Sequence, residues 1–489
     1  MARKGDLRIL WVSITIYASV MILISINRHY TFRTNAFDLG IFMQSLWNTM
    51  HGNFMYNTVE WFVFCASSHF KIHLSPILLV LAPIYNFIPR AETLLIIQTI
   101  VIAISAYPLY ILAEKILEDS TIALTLAGMY LGNSLVQGIN SYDFHAVPFA
   151  MPFIFITALM IEKERYNLAI LSSIMVLTVR EDAGIALIAL GIFYLFKNRK
   201  ILDIATYAPP TIKGIKLKTI SKVDQVSLVL ILLGVIWILF GMREVNSSHL
   251  LSFYNTLFCN NSLKITYFLV VNLTLGLLTF LRPKYFLLLT MFPWAEILLS
   301  SERNLYRIGF QYPYMIIPLS IISIIYSLKE INKKELRKIV SIGITVGMIF
   351  SILTTPVLPL NSDLKAGLLV PPFYYQPITH HDRVLIKITD VLEDTNFSIL
   401  TQNDIFPHLS NRVNTYVIWA SYCNKTLPRT DVILLDNTLL YSMYNSFIKN
   451  YLTNYTEIYE YDGIEVWIRT DIVGTFQVKA LKEQLEEIT

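Results

Sequence analysis

Eleven apolar runs, each long enough to cross or nearly cross a bilayer, constrain this chain more than any other feature. They lie at about 9–26, 92–113, 121–137, 146–161, 167–179, 183–197, 226–241, 265–281, 285–300, 311–328 and 338–355. In hydrocarbon no water is available to the peptide groups, so segments of this kind close their own hydrogen bonds as helices. A further run, about 74–88, is shorter and is punctuated by Pro76, Pro83 and Pro89. Its path sets the sidedness of everything after it.

Lysine and arginine favour the cytoplasmic side of a membrane. Suppose 74–88 dips in from outside and returns. Then the basic N-terminus, 162–165, 197–200 with Lys213, Lys216, Lys218 and Lys222, 282–284, and 329–338 all fall inside. If it crosses, the two densest lysine clusters land outside. The first arrangement is expected: eleven spans in a plasma membrane, N-terminus cytoplasmic, C-terminus outside. Sequons at Asn246, Asn260, Asn396, Asn424 and Asn454 then lie outside, and one at Asn272 is buried in a span and unused. The first run follows Met-Ala-Arg-Lys with no small-residue cleavage site after it, so it reads as a retained span.

Composition agrees: 54% of residues are hydrophobic and 15% charged, against about a quarter charged in soluble domains. The basic residues form no continuous patch, which argues against a nucleic-acid partner. Cys65, Cys259 and Cys423 are far apart, lack metal-ligand spacing, and by their odd number cannot all pair within the chain.

From about 356 the character changes. Pro356, Pro359, Pro371, Pro372 and Pro377 make a stiff linker over 356–380, and 381–489 reads as a small α/β domain. Residues 383–394 form a helix with Val384, Leu385, Ile388, Val391 and Leu392 on one face. Short buried strands are expected at 397–401, 415–419 and 432–435, a helix at 439–451, and a hairpin from 455–461 and 464–469 around Asp462-Gly463. No glycine-rich phosphate loop follows a strand, which argues against a nucleotide site. The expected fold is mainly α: a polytopic transmembrane helical bundle over 1–355 with a small C-terminal extracytoplasmic α/β domain.

Under this topology the ionisable residues gather outside. Asp38 heads an amphipathic helix over 38–50, whose Leu39, Phe42, Met43, Leu46, Trp47 and Met50 are expected to face lipid. His69, His73, Asp143, His145, Arg180, Glu181, Asp182, Glu302, Arg303, Tyr306, Arg307 and Tyr312 lie in other outer loops. Each has a plainer reading. Asp38 can cap a helix. His69 and His73, four apart, are metal ligands or ordinary loop polarity. Asp143 and His145 make a solvated turn, residues 180–182 a self-neutralising one, and Arg303 and Arg307 meet lipid phosphate. Convergence on one site is what would distinguish them, since ionisable groups near a bilayer are costly. A carboxylate there can act as general base, and arginine and histidine can hold a phosphate leaving group. Those are the needs of sugar transfer from a polyprenyl-phosphate carrier, a lipid-linked donor, to an acceptor the sequence does not identify. A transporter or flippase and a non-catalytic envelope assembly factor are the rivals.

Asn35-Ala-Phe-Asp-Leu-Gly-Ile-Phe, His69-Phe-Lys-Ile-His-Leu-Ser-Pro76, Asp143-Phe-His145, Arg180-Glu-Asp182, Gln311-Tyr312 and Gln402-Asn-Asp-Ile-Phe-Pro-His-Leu-Ser-Asn-Arg412 resemble motifs of an uncharacterised prokaryotic membrane-protein family, domain of unknown function 2079. The resemblance covers nearly the whole chain. That family is similar in layout to the GT-C glycosyltransferase superfamily, which implies a catalytic acid in the first outer loop, at Asp38, and a lipid-phosphate-linked sugar donor. The Asp-x-Asp or Asp-Glu pair of many GT-C enzymes is missing, because Leu39 and Gly40 follow Asp38. The resemblance therefore implies no metal ligands, and a divalent metal stays open.

Overall fold

All eleven apolar runs are helical in the computed structural model, which describes residues 4–197, 221–245, 259–359, 368, 373–423, 426 and 428–488. Among the described residues five helices are long and apolar enough to cross a membrane: Lys4–Tyr30, Ala91–Leu117, Lys222–Glu244, Tyr312–Lys329 and Lys333–Thr354. Ser120–Gly132 and Ser134–Ser141, bent by 46°, make a sixth if taken as one span. The break is at Asn133, whose backbone is extended and whose side chain caps the second helix by accepting from the Leu135 N–H. The helices in the remaining runs are shorter, from Tyr166–Leu177 with 12 residues to Pro283–Leu299 with 17. At 1.5 Å per residue these reach about 18–26 Å, less than the ~30 Å hydrocarbon core. Most of Lys197–Lys222, Asn246, Asn424, Pro371 and Pro372 lie outside the described residues.

Tyr312–Lys329 is the central helix: 89% of its apolar window is buried, against 33% for Lys4–Tyr30 and 28% for Lys222–Glu244. The outer helices turn Ile9, Val12, Ile16, Leu232, Ile236 and Leu239 outward, apolar faces suited to lipid. Close packing depends on glycine at one crossing. A Cβ on Gly184 would stand 2.5 Å from the Gly234 carbonyl oxygen, and a Cβ on Gly234 equally close to that of Gly184.

The helices sort the loops into two ends. At one end Glu162 accepts from Lys197 Nζ at 2.7 Å and from Tyr326, Lys284 Nζ donates to the Lys197 carbonyl at 2.7 Å, and Arg282 meets Glu330 at 3.0 Å. The basic loops thus converge. The helices Val147–Glu162, Gly184–Phe196 and Tyr312–Lys329 lead from that end to the opposite one, where 145–147, Arg180 and Tyr312 lie together. The Pro-punctuated run becomes the helix Ile77–Phe87, which stays at this second end. The Ile77 N–H donates to the Thr178 carbonyl beside Arg180, and Tyr85 Oη donates to Asn411 in the C-terminal domain at 2.6 Å. Asn272, 1% exposed, is sealed in the bundle with its amide on the Phe268 carbonyl.

The C-terminal domain is a five-stranded sheet in the order β2-β1-β3-β5-β4, with β1 Ile399–Thr401, β2 Thr415–Val417, β3 Val432–Asp436, β4 Tyr455–Tyr461 and β5 Ile464–Arg469. β1 runs parallel to β2 and β3, and β5 antiparallel to β3 and β4. β3 is buried on both faces. Val432 and Leu434 meet the helices His380–Glu393 and Phe476–Glu486, while Ile433 and Leu435 pack with Leu400 and Ile448. A capping box between Thr379 and Asp382 starts the first of these helices. The helix expected over 439–451 is a 3₁₀ segment, Leu440–Ile448, followed by one α turn, and Phe476–Glu486 is a helix the sequence reading did not anticipate. The described end of the linker is pinned to the bundle, with Gln376 and Asn27 exchanging two hydrogen bonds at 2.7 and 2.9 Å.

Candidate functional site

The loop after the first helix is built by its asparagine and its glycine. Asn35 donates its backbone and side-chain N–H to Asp143 Oδ2 at 2.8 and 3.1 Å and accepts from Asn403 at 2.9 Å, tying bundle and C-terminal domain together. The chain then makes a π-helical turn, Ala36–Gly40, before the α-helix Ile41–Met50. Such widened turns concentrate at functional sites, and this one carries Asp38. Gly40 lets the Phe406 ring approach: a Cβ there would stand 2.7 Å from it. Most of the apolar face of this helix packs on protein, with Trp47 partly buried against the core and Met50 left exposed. Leu39, Phe42, Met43 and Leu46 are buried in the bundle core, and Gln44 donates to the Arg412 carbonyl at 2.8 Å.

Asp38 Oδ1 stands 3.1 Å from His145 Nε2, and Oδ2 accepts from Tyr142 Oη at 2.9 Å. The carboxylate, 16% exposed, lines a cavity of about 330 Å³. Its partners are placed by Gln98 on the Ala91–Leu117 span, which accepts from the His145 N–H at 2.7 Å and donates to the Asp143 carbonyl at 2.8 Å. Asp143 has a left-handed backbone, φ 42°, and a fully buried side chain 3.1 Å from Arg28. Arg28 also bonds the carbonyls of Ser141 and Arg33 and lies over the Phe373 ring.

Two further imidazoles reach the same cavity, each seated on a carboxylate. His69 Nδ1 is 2.8 Å from Glu60 Oε1, and His73 Nδ1 is 2.9 Å from Glu181 Oε1. Glu181 also accepts the Leu74 N–H at 2.9 Å. Burial raises the Glu60 carboxyl, but the charge and hydrogen bond of His69, with Asn57, outweigh it and hold the group below its ordinary range. Arg180 grips Asp182 through two nitrogens and stands near the rings of Tyr312 and Tyr314. Tyr314 donates to Asp182 at 2.9 Å.

Asp38, His69, His73, His145, Arg180 and Tyr312 therefore line one cavity, while Asp143, Glu181 and Asp182 stand behind it and hold those that do. Arg303 is exposed and does not line it; its neighbours Glu302 and Asn304 do. His69 and His73 sit on and just after a 3₁₀ turn, not on one α-helical face. Glu60, Tyr142, Arg28 and Gln98 were not anticipated. Neither was Glu296, hydrogen-bonded to Asp182, although a lone acid in an apolar helix is a recognisable signal. A larger cavity of about 490 Å³ lies in the C-terminal domain beside Asp431 and Phe476. Asp431 is already used by Ser398 and Arg469, so the reactive groups concentrate in the smaller cavity.

A disulfide between Cys65 and Cys423, 358 residues apart with Cα atoms 5.6 Å apart, joins the loop ahead of His69 to the C-terminal domain. Cys259 is a free cysteine. Above the cavity, Phe37 and Trp419 pack with ring centroids 4.3 Å apart.

Comparison with curated proteins finds no match. A family model matches residues 28–466, from the end of the first helix into the last strand, and on that match the chain belongs to DUF2079, a family described as a predicted membrane protein.

Proposed function

We propose that the cavity is the active site of a GT-C-like integral membrane glycosyltransferase, moving a sugar from a polyprenyl-phosphate donor to an acceptor on the outer face of the membrane. One observation carries this reading. Asp38, oriented by His145 and Tyr142, shares a single partly open cavity with Arg180. In this reaction Asp38 takes the proton of an acceptor hydroxyl as its oxygen bonds the anomeric carbon. The bond from that carbon to phosphate oxygen breaks, and polyprenyl phosphate leaves. Arg180 and His73 offset charge on the departing phosphate, while Asp143, Glu181 and Asp182 act as positioning residues.

Sidedness is part of the proposal. The basic loops gather at the end away from the cavity, which supports a cytoplasmic assignment for that end. The Cys65 to Cys423 disulfide supports an oxidising compartment for the cavity end. The shorter apolar helices would complete an eleven-span bundle in a thinned or locally shaped bilayer.

A transporter is the second reading, favoured by the bend at Asn133 in a helix that ends at Ser141, beside the cavity. Broken helices often build transport sites. The test is binding and transfer with purified protein and polyprenyl-phosphate sugars, beside Asp38→Asn and Arg180→Ala. The proposal expects wild type to be stabilised by the sugar-linked lipid, Arg180→Ala to bind it more weakly, and Asp38→Asn to fold but not transfer. Folded wild type that ignores every such lipid overturns it. Lipid moved across a vesicle membrane with its sugar intact would establish the transporter.

A further inference from the structure

The cavity wall carries more negative than positive charge. Among the described residues Asp38, Glu60 and Glu302 line it with Glu181 just behind, whereas the guanidinium that lines it, Arg180, is paired with Asp182. With the imidazoles neutral, a cation would offset that excess. The imidazoles point the same way. Glu60 and Glu181 each occupy the Nδ1 position of a histidine. A carboxylate accepting from Nδ1–H fixes the tautomer and leaves the Nε2 lone pair free, the outer-shell arrangement found behind metal-bound histidines. His69 is 2% exposed, and its Nε2 is buried with no hydrogen-bond partner. A buried polar atom left so is costly unless something binds it.

We infer that His69 and His73 are ligands of one divalent cation, held through Nε2 and backed by Glu60 and Glu181. Distance permits this. A metal lies about 2.0–2.1 Å from a coordinating imidazole nitrogen, hence about 3.2 Å from the ring centre, so two rings sharing one ion are at most about 6.4 Å apart. Those of His69 and His73 are 6.1 Å apart, which a shared ion meets at a wide N–metal–N angle. Among the described residues no three His, Cys, Asp or Glu side chains form a ready metal group. Two imidazoles supply one protein ligand fewer than the three of a catalytic zinc site, and water or a bound anion would fill the remaining positions. Two imidazoles select zinc, cobalt or nickel over magnesium or calcium.

The inference concerns the same cavity as the proposed transfer but is read without lipid or sugar, so the two fail separately. Tag-free full-length protein in detergent is titrated calorimetrically with Zn²⁺ alone and with Co²⁺ alone. One site per chain is expected. His69→Ala/His73→Ala should remove it, and Glu60→Gln should weaken it 10–100-fold. The control His51→Ala should bind as wild type does, since His51 is exposed and stacks on Trp47 away from the cavity. Retention of the Cys65 to Cys423 disulfide and of a monodisperse elution profile certifies folding of each variant. No binding by folded wild type, or undiminished binding by the folded double variant, overturns the inference.

Discussion

Asp143→Asn keeps the side-chain shape and a residue type that tolerates left-handed backbone, but removes the charge facing Arg28. The asparagine oxygen can still accept both Asn35 bonds, so the change isolates one interaction. Arg28 is 3% exposed and cannot reach water. Breaking a buried pair by removing one partner costs about 3–5 kcal/mol, of a total stability that is typically about 5–15 kcal/mol. The unfolded population should rise by about 100-fold to 4,000-fold, since 1.4 kcal/mol is about tenfold. Adding Arg28→Met removes the stranded charge. Recovery should be partial, because the carbonyls of Ser141 and Arg33 then lose their donor, at about 1–3 kcal/mol each. Asp38→Asn serves as contrast: its side chain is partly exposed and an amide can keep both Tyr142 and His145, so stability should fall by less than about 1 kcal/mol. Thermal unfolding in detergent, followed by intrinsic fluorescence and by size-exclusion recovery, measures all four proteins. Asp143→Asn melting with wild type, or a double variant no better than the single, would refute the assignment of Asp143 as the buried counter-charge of Arg28.

Gly40→Ala should destabilise the docked state by about 1–2 kcal/mol. Overpacking against the Phe406 ring costs about 1–3 kcal/mol, against a helix gain of about 0.5–1 kcal/mol, and Phe406→Leu should restore the loss; a variant as stable as wild type denies that contact. Reducing the disulfide, or Cys65→Ser, should raise protease cleavage within 356–380 several-fold, because the tie from the His69 loop to the C-terminal domain is lost; unchanged cleavage would mean the remaining contacts hold the domain alone. Burial pushes the Asp404 carboxyl up to about 6, so the folded state binds this proton more tightly than the unfolded one. Its contribution is present below about pH 4 and is lost as pH rises through 6, on the order of 2–3 kcal/mol. Denaturation between pH 4 and 8 should show that slope flattened in Asp404→Asn, and an identical slope in both proteins would contradict it.

The helical runs and the hairpin at Asp462-Gly463 were legible because each rests on local rules, apolar length and turn chemistry. The path of 74–88 rests, as an expectation, on the charge of loops far from it; its helix is tied to Thr178 through Ile77 and to Asn411 through Tyr85. Other features had no local signal. Cys65 and Cys423 are 358 residues apart, and nothing in their neighbourhoods says that they pair. The amphipathic pattern of 38–50 shows that one face is apolar but not what receives it, since lipid and protein interior are alike to leucine, and here protein does.

By itself the sequence determined that this chain is a multi-helix membrane protein, a short-range consequence of apolar length and of charges too sparse for water. It also supplied the polar residues around Asp38. Only the tertiary structure decided their parts. Asp38 and Asp143 are the same side chain, one on each side of the His145 loop. One faces a cavity with an imidazole and a phenol; the other is sealed against Arg28. That division comes from burial, a property of contacts among residues more than a hundred positions apart, which no local pattern encodes.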